Sequence, residues 1–278
     1  MTSTPTTTSS SATTPTPTGY SFDNRAAEAE TQLNALESFL DPISAVRLAA
    51  PVVRPGVRCW EVGAGGGSVA RIMAAAAGPG GHIVATDIET SRLAPAATIA
   101  VRRHDVRHEP PPGGPFDVIH ARLVLLHLPE RKRVLRELVR ALVPGGWLVL
   151  EEFDCLAPPR ALTAPTDTAA KLFQQVVDGM LEILQGRGAD LAWAQNVHLE
   201  MALAGLTDID TITHAESWAG GSSGAGLLEV NCRQLEPRLT ASGFTPEQLA
   251  GFRKLTADPR FAALSYQIVS TRGRRPRP

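Results

Sequence analysis

Only three cysteines occur among the 278 residues, Cys59, Cys155 and Cys232, and they lie far apart. So scattered and odd a set offers no disulfide framework and no Cys-rich zinc site. A reducing, cytoplasmic setting is expected. Charge of either sign in excess is also lacking: 27 Lys and Arg stand against 28 Asp and Glu, a formal net charge of -1. That balance gives no electrostatic footprint for nucleic acid or an anionic membrane surface. No apolar run approaches the about 20 residues of a membrane span. The N-terminus has neither a basic start nor an apolar stretch, so no secretory signal is expected. Internal repeats are lacking too.

Hydrophobic residues, at 43%, suffice for a sizeable core. Residues 1–18 are Thr, Ser and Pro almost throughout. They bury too little to offset chain entropy and are predicted to be a disordered tail. Leu33, Leu36, Leu40 and Ile43 then recur at the spacing of one helical face. Ser21 or Asp23 could cap it, and Asp41-Pro42 is predicted to split it into two helices.

Pro55-Gly56 marks a turn, after which strand-like and helix-like runs alternate. Strands are predicted at residues 57–62, 82–86, 99–103, 116–120 and 147–153. Helices are predicted at 68–77 and 129–142, the second ended by Pro144-Gly145-Gly146. Its basic run, Arg131, Lys132, Arg133, Arg136 and Arg140, reads as a solvated face. Further helices are expected at 169–185, 191–204, 227–240 and 245–255, a Gly/Ser loop at 220–226, strands at 208–213 and 261–270, and a frayed tail beyond. The alternation predicts an α/β fold: a Rossmann-like, mostly parallel sheet with helices on both faces.

The most informative stretch is Glu61-Val62-Gly63-Ala64-Gly65-Gly66-Gly67-Ser68. A strand runs into a glycine loop and then a helix, whose first N–H groups are unpaired. Dinucleotide oxidoreductases use the same device, with glycine at a third position. Here that position is Ser68. Glu61, two residues before the first glycine, would repel a pyrophosphate and suits a cationic amino group. Asp87, ending the next strand, has the spacing of an acid that accepts both ribose hydroxyls; capping of a following helix would also explain it.

With these pieces the sequence resembles the class I S-adenosylmethionine (SAM)-dependent methyltransferases, in particular bacterial small-molecule enzymes. The resemblance spans Tyr20 to Arg274 and is strongest from Val57 to Asp154. It adds His104-Asp105-Val106 after the third strand, Phe116 to Pro129, and Pro144 to Glu152. It implies a seven-stranded sheet whose last strand is antiparallel, between the fifth and sixth, with a helical lid. It implies SAM as cofactor and S-adenosylhomocysteine as product. Gly63, Ala64, Gly65 and Gly67 would line the methionine and ribose parts, and Glu61 would hold the amino end. Asp87, with Ile88 beside it, would bind ribose; His104, Asp105 and Val106 would face adenine. Ala121 and Arg122 would flank SAM, and Tyr20 would belong to a segment folding over it. Residues 19–50 would lie over the cofactor, 51–156 form its binding core, 157–226 the lid and substrate region, and 227–278 the helices and strand completing the sheet.

Other candidates have rival readings. His104 and His108 flank Asp105, yet no third ligand has metal spacing, and no metal is expected. His120 reads as structural. His127 follows the fourth strand and could act as a general base, or pack on the next helix. Glu151 and Glu152 point to opposite faces, so at most one is expected to face inward. Glu152, Asp154 and Trp193 are substrate-contact candidates, against strand-end solvation or core packing. The expected partner is a small-molecule methyl acceptor, of which a secondary metabolite is one type, with nucleic acid and membrane excluded and a homodimer open. A nicotinamide-dependent oxidoreductase and a non-catalytic SAM-binding scaffold are the alternatives.

Overall fold

The computed structural model describes residues 28–278. Tyr20, the candidate caps Ser21 and Asp23, and the Thr/Ser/Pro-rich stretch lie outside them.

The first helix, α1 (Ala29–Leu48), is continuous through Pro42, against the expected break. The reason is placement. Pro42 and Ser38, whose carbonyl a proline at this position leaves unpaired, are both exposed, so water can satisfy the lost bond. Strand β1 (Arg58–Val62), α2 (Ser68–Ala77), β2 (His82–Asp87), β3 (Ile99–Arg103) and β4 (Phe116–Arg122) follow. A 3-10 turn, Leu125–His127, leads to α3 (Arg131–Ala141) and β5 (Leu142–Asp154). Beyond these come β6 (Arg160–Thr163), α4 (Asp167–Gly186), α5 (Trp193–Leu203), β7 (Thr207–His214) and β8 (Ser217–Ala219). The remainder is α6 (Ser223–Ala241), α7 (Pro246–Thr256), β9 (Ala262–Leu264) and β10 (Gln267–Arg274).

Seven strands form one sheet in the order β3-β2-β1-β4-β5-β10-β7. The first five strands are parallel, and β10 is antiparallel to both β5 and β7. This is the mostly parallel sheet that the alternating pattern implied, with the seven strands and antiparallel closing strand that the resemblance implied. Its closing strand lies further along the chain than expected. Residues 262–264 belong instead to a small antiparallel sheet, β6-β9-β8. Arg272 and Arg274, expected in a frayed tail, are in β10, with both guanidinium groups 5.6 Å from the Trp147 ring centre. Residues 157–226 are not wholly helical either: they include β7, an integral strand of the main sheet. The loop expected at 220–226 is shorter, because Ser222 caps α6 through the Ala225 N–H.

Strand alternation divides the interior. On one face Cys59, Val118 and Val149 pack with Val69 and Met73 of α2. On the other, Trp60, Ile119, Leu148 and Leu150 pack with the helices beyond. The first face turns polar toward the carboxyl ends of the strands, where Glu61, His120, Arg122 and Glu151 continue it. Arg131 departs from the solvated face expected of α3: it binds the carbonyl of Gly188 at 2.5 Å and ion-pairs with Asp190 at 3.3 Å. Among the described residues no helix is long and apolar enough to cross a membrane.

Candidate active site

The strand order reverses between β1 and β4, and open α/β sheets bind ligands at such a point. A cavity of about 430 Å³ opens there, within the roughly 300–1,000 Å³ of small-molecule sites. Its polar half is built by the tips of β1, β2 and β4 and by the loop 63–67. Gly63, Gly65 and Gly67 all have positive φ, at +67°, +54° and +80°, backbone that residues with a Cβ rarely adopt. At Gly63 the need is doubled, since a Cβ would run into the Val124 side chain.

Asp87 ties this loop to the second strand. Its Oδ2 accepts the Gly65 N–H at 2.9 Å and its Oδ1 the Glu89 N–H at 3.0 Å. Burial raises its carboxyl above the usual range. Each oxygen retains acceptor capacity for a ligand hydroxyl.

Glu61 also lines the cavity and is almost wholly buried. Its Oε2 lies 2.7 Å from His120 Nδ1, and His120 Nε2 lies 3.2 Å from Glu151 Oε2. Ser44 and Ser270 donate to the Glu151 carboxylate. Burial raises the Glu61 carboxyl, partly offset by the imidazole. Burial alone would lower His120, but Glu61 and Glu151 outweigh it and push it up to about 9. Glu151 is held below the ordinary carboxylate value: His120 and Ser44 outweigh its own burial. Arg122 reaches from β4 to Asp41, Ser44 and Ser68 at 2.9–3.1 Å, fastening α1 across the loop.

Of the residues singled out in the sequence, Glu61, Gly63, Ala64, Gly65, Asp87, Ile88, His104, Asp105, Val106, Arg122 and His127 line this one cavity. The Asp105 carboxylate already holds Arg107, at 2.7 and 3.0 Å, so it meets a ligand as half of an ion pair. His104 Nε2 is bonded to the Pro110 carbonyl at 2.9 Å. Gly67 and Ala121 are not on the cavity wall; Gly67 caps α2 and Ala121 is core.

Glu152, Asp154 and Trp193, expected at the substrate, are not on the wall either. Glu152 Oε1 accepts the N–H groups of Leu125 and Leu126, at 2.9 and 3.3 Å. Asp154 binds Gln195 and the Leu156 N–H, and Trp193 is 1% exposed. Glu151 and Glu152 do face opposite ways; neither lines the cavity, and at 1% exposure neither is a solvated strand-end acid.

The inner half of the cavity is apolar. Leu126, Phe153, Met180, Leu184, Leu227 and Tyr266 contribute to it, with Phe153 and Tyr266 stacked at 4.7 Å. In the sequence each of these also reads as ordinary core. His127 joins the two halves. Burial and the neighbouring Arg131 lower its imidazole to about 4. Leu123, in the same turn, has φ +56°, a strained backbone of the kind that gathers at functional sites.

Fold and site together define a Rossmann-like protein with a nucleoside-type cleft joined to an apolar chamber. Residues 34–199, more than half of the chain, match the methyltransferase domain family model. The chain belongs to that family. It is 31% identical over 210 residues to methyltransferase str3 of Strobilurus tenacellus, covering 74% of this chain and 65% of that protein. To the ubiquinone/menaquinone biosynthesis C-methyltransferase UbiE of Bordetella parapertussis it is 31% identical over 125 residues, 42% of this chain and 48% of the relative. The chain thus spans between about half and 65% of the curated relatives it matches. In fold it is similar to phosphoethanolamine N-methyltransferase 2 of Haemonchus contortus, solved with S-adenosylhomocysteine. The TM-score there is 0.54 at 16% identity, over 91% of this chain and 59% of that one.

Proposed function

We propose that this protein transfers a methyl group from SAM to an oxygen, nitrogen or carbon atom of a small, largely apolar molecule, a secondary metabolite being the type that suits the chamber. The observation that carries this reading is the single cavity in which two strand-tip acids, Glu61 and Asp87, lead into a chamber walled by Phe153, Met180 and Tyr266. The residues fit the cofactor. Gly63 lines the cavity without a Cβ, so a ligand can approach its backbone; Asp87 offers acceptors for ribose, and Glu61 an anion for an ammonium group.

Bound SAM would supply a methyl group on a sulfonium, an electrophile that requires no metal. What the chain supplies is placement. Asp87 and the glycine loop hold the nucleoside, Glu61 the amino acid end, and the stacked pair Phe153 and Tyr266 the flat part of an acceptor. Alignment of two reactants can be worth roughly 7–11 kcal/mol at best. His127 lines the cavity and is neutral at physiological pH; lowered to about 4, its imidazole is a weak base suited to accept a hydrogen bond from the acceptor's acidic group.

The test is incubation with methyl-labelled SAM and extracts of the producing cell, followed by mass-resolved identification of labelled products. A labelled small apolar product is expected. Failure of the protein to bind SAM or S-adenosylhomocysteine, together with stabilisation by NADH, would transfer the assignment to a nicotinamide enzyme.

A further inference from the structure

Glu61, His120 and Glu151 come from three neighbouring strands, β1, β4 and β5, and form one buried string. Glu61 and His120 stand opposite each other in the β1–β4 register. Glu151 stands opposite Arg122, two residues on from His120 on the same face. The distances are 2.7 Å and 3.2 Å, and His120 is fully enclosed. Both ring nitrogens face carboxylate oxygens. Such an imidazole satisfies both acceptors only when both nitrogens carry protons.

The surroundings fix where the charge lies. From α1, Ser44 donates to Glu151, Arg47 reaches Ser270 of β10, and Asp41 is paired with Arg122. Arg47 is further paired with Asp210 of β7, which Arg272 also holds. Glu37 of α1 lines the same cavity and faces Arg71 of α2 at 3.6 Å. Beside the string, Asp41 thus has Arg122 and Glu37 has Arg71, while Arg47 and Arg272 share the one carboxylate of Asp210. Within it, an ionised Glu61 and Glu151 flank one imidazolium, one unit of negative charge that the burial of Glu61 opposes and His120 favours. Glu61 is the member that lines the cavity.

We propose that His120 is a positioning residue for cofactor recognition: braced by Glu151, it keeps Glu61 an anion aimed into the cavity, so that the amino end of SAM is recognised by the whole string. This rests on the cofactor reading given above. Without the imidazolium, Glu61 would be a carboxylate buried beside a second carboxylate, and it would take up a proton rather than remain charged. A neutral Glu61 offers the ammonium group a much weaker partner.

Calorimetric titration with two probes tests it. S-adenosylhomocysteine carries the amino acid end; 5′-methylthioadenosine shares the nucleoside and lacks that end. In His120→Gln and in Glu151→Gln, affinity for S-adenosylhomocysteine should fall about 10-fold or more, one charge-assisted contact. Affinity for methylthioadenosine should change less than about 3-fold. Equal losses for both probes, or no loss for either, overturn the proposal and leave His120 a packing residue. A wild-type protein that binds neither probe overturns the cofactor reading, and this inference with it. A measurement on the wild type needs no variant to fold: nitrogen-15 NMR of the His120 ring at pH 7 should show both nitrogens protonated. A neutral ring there overturns the proposal.

Discussion

The Asp87 carboxylate accepts the backbone N–H of Gly65 at 2.9 Å, so the acid at the tip of β2 is bonded to the turn that leaves β1. One side chain thereby shapes the glycine loop and presents oxygens to a ligand. Asp87→Asn keeps one acceptor for that N–H and loses the charge. We expect it to bind S-adenosylhomocysteine and methylthioadenosine about 10-fold less tightly, with both probes affected alike. Unchanged affinity for the nucleoside would remove Asp87 from ribose recognition.

Gly63 has two constraints, a φ of +67° and the Val124 side chain. Gly63→Ala should destabilise the fold by about 1–2 kcal/mol from the backbone alone, with a further loss from the collision. Adding Val124→Ala should recover only the second part. Denaturant unfolding of the three variants separates the two. A single variant within about 0.5 kcal/mol of wild type would show that the loop relaxes freely.

Burial pushes Glu152 up to about 8, although it accepts two N–H groups of the turn before α3. Its ordinary value is 4.5. The unfolded chain thus ionises at lower pH than the folded one, and the stability contributed by this group, full below 4.5, is lost as pH rises toward 8. Glu152→Gln removes that titration and keeps the acceptor. Relative to wild type its stability should grow with pH between 5 and 8, by up to roughly 1.4 kcal/mol per unit. Glu152→Leu leaves two buried N–H groups unpaired and should cost about 1–3 kcal/mol for each. A pH-independent difference between wild type and Glu152→Gln contradicts the buried acid.

His127 is lowered to about 4. If it takes the acceptor's proton, the methyl-transfer rate should be flat from pH 5 to 8, where the ring is already neutral, apart from titration of the acceptor itself. His127→Ala should then lower kcat by about 10²–10⁴ and leave S-adenosylhomocysteine affinity unchanged. Wild-type turnover in that variant would leave only a wall of the cavity at this position.

The parallel half of the sheet is legible in the sequence because its strands are apolar runs punctuated by Pro and Gly, and because Glu61 and Asp87 stand at their tips. Less legible is whatever depends on partners distant in sequence. Strands β6, β8 and β9 have only three or four residues each, too few for a period to show. Pro42 looked like a helix break because exposure at that turn depends on how α1 docks. Arg272 and Arg274 looked solvated, whereas Trp147 supplies a face for both. The string through His120 was foreshadowed only by the matching positions of Glu61, His120 and Glu151 near three strand ends. The register that aligns them is a tertiary fact. Glu152 and Asp154 were drawn toward the substrate by their location; the N–H groups and amide that occupy them come from other segments.

Strand β10 is inserted between β5 and β7 and pairs with both along most of its length. During synthesis those two strands emerge well before the one that joins them. A nascent chain that has not yet exposed residue 267 outside the ribosome carries two unpaired sheet edges, each able to capture a wrong neighbour. This side of the sheet therefore closes only when β10 arrives, because among the described residues β7 pairs with no other strand.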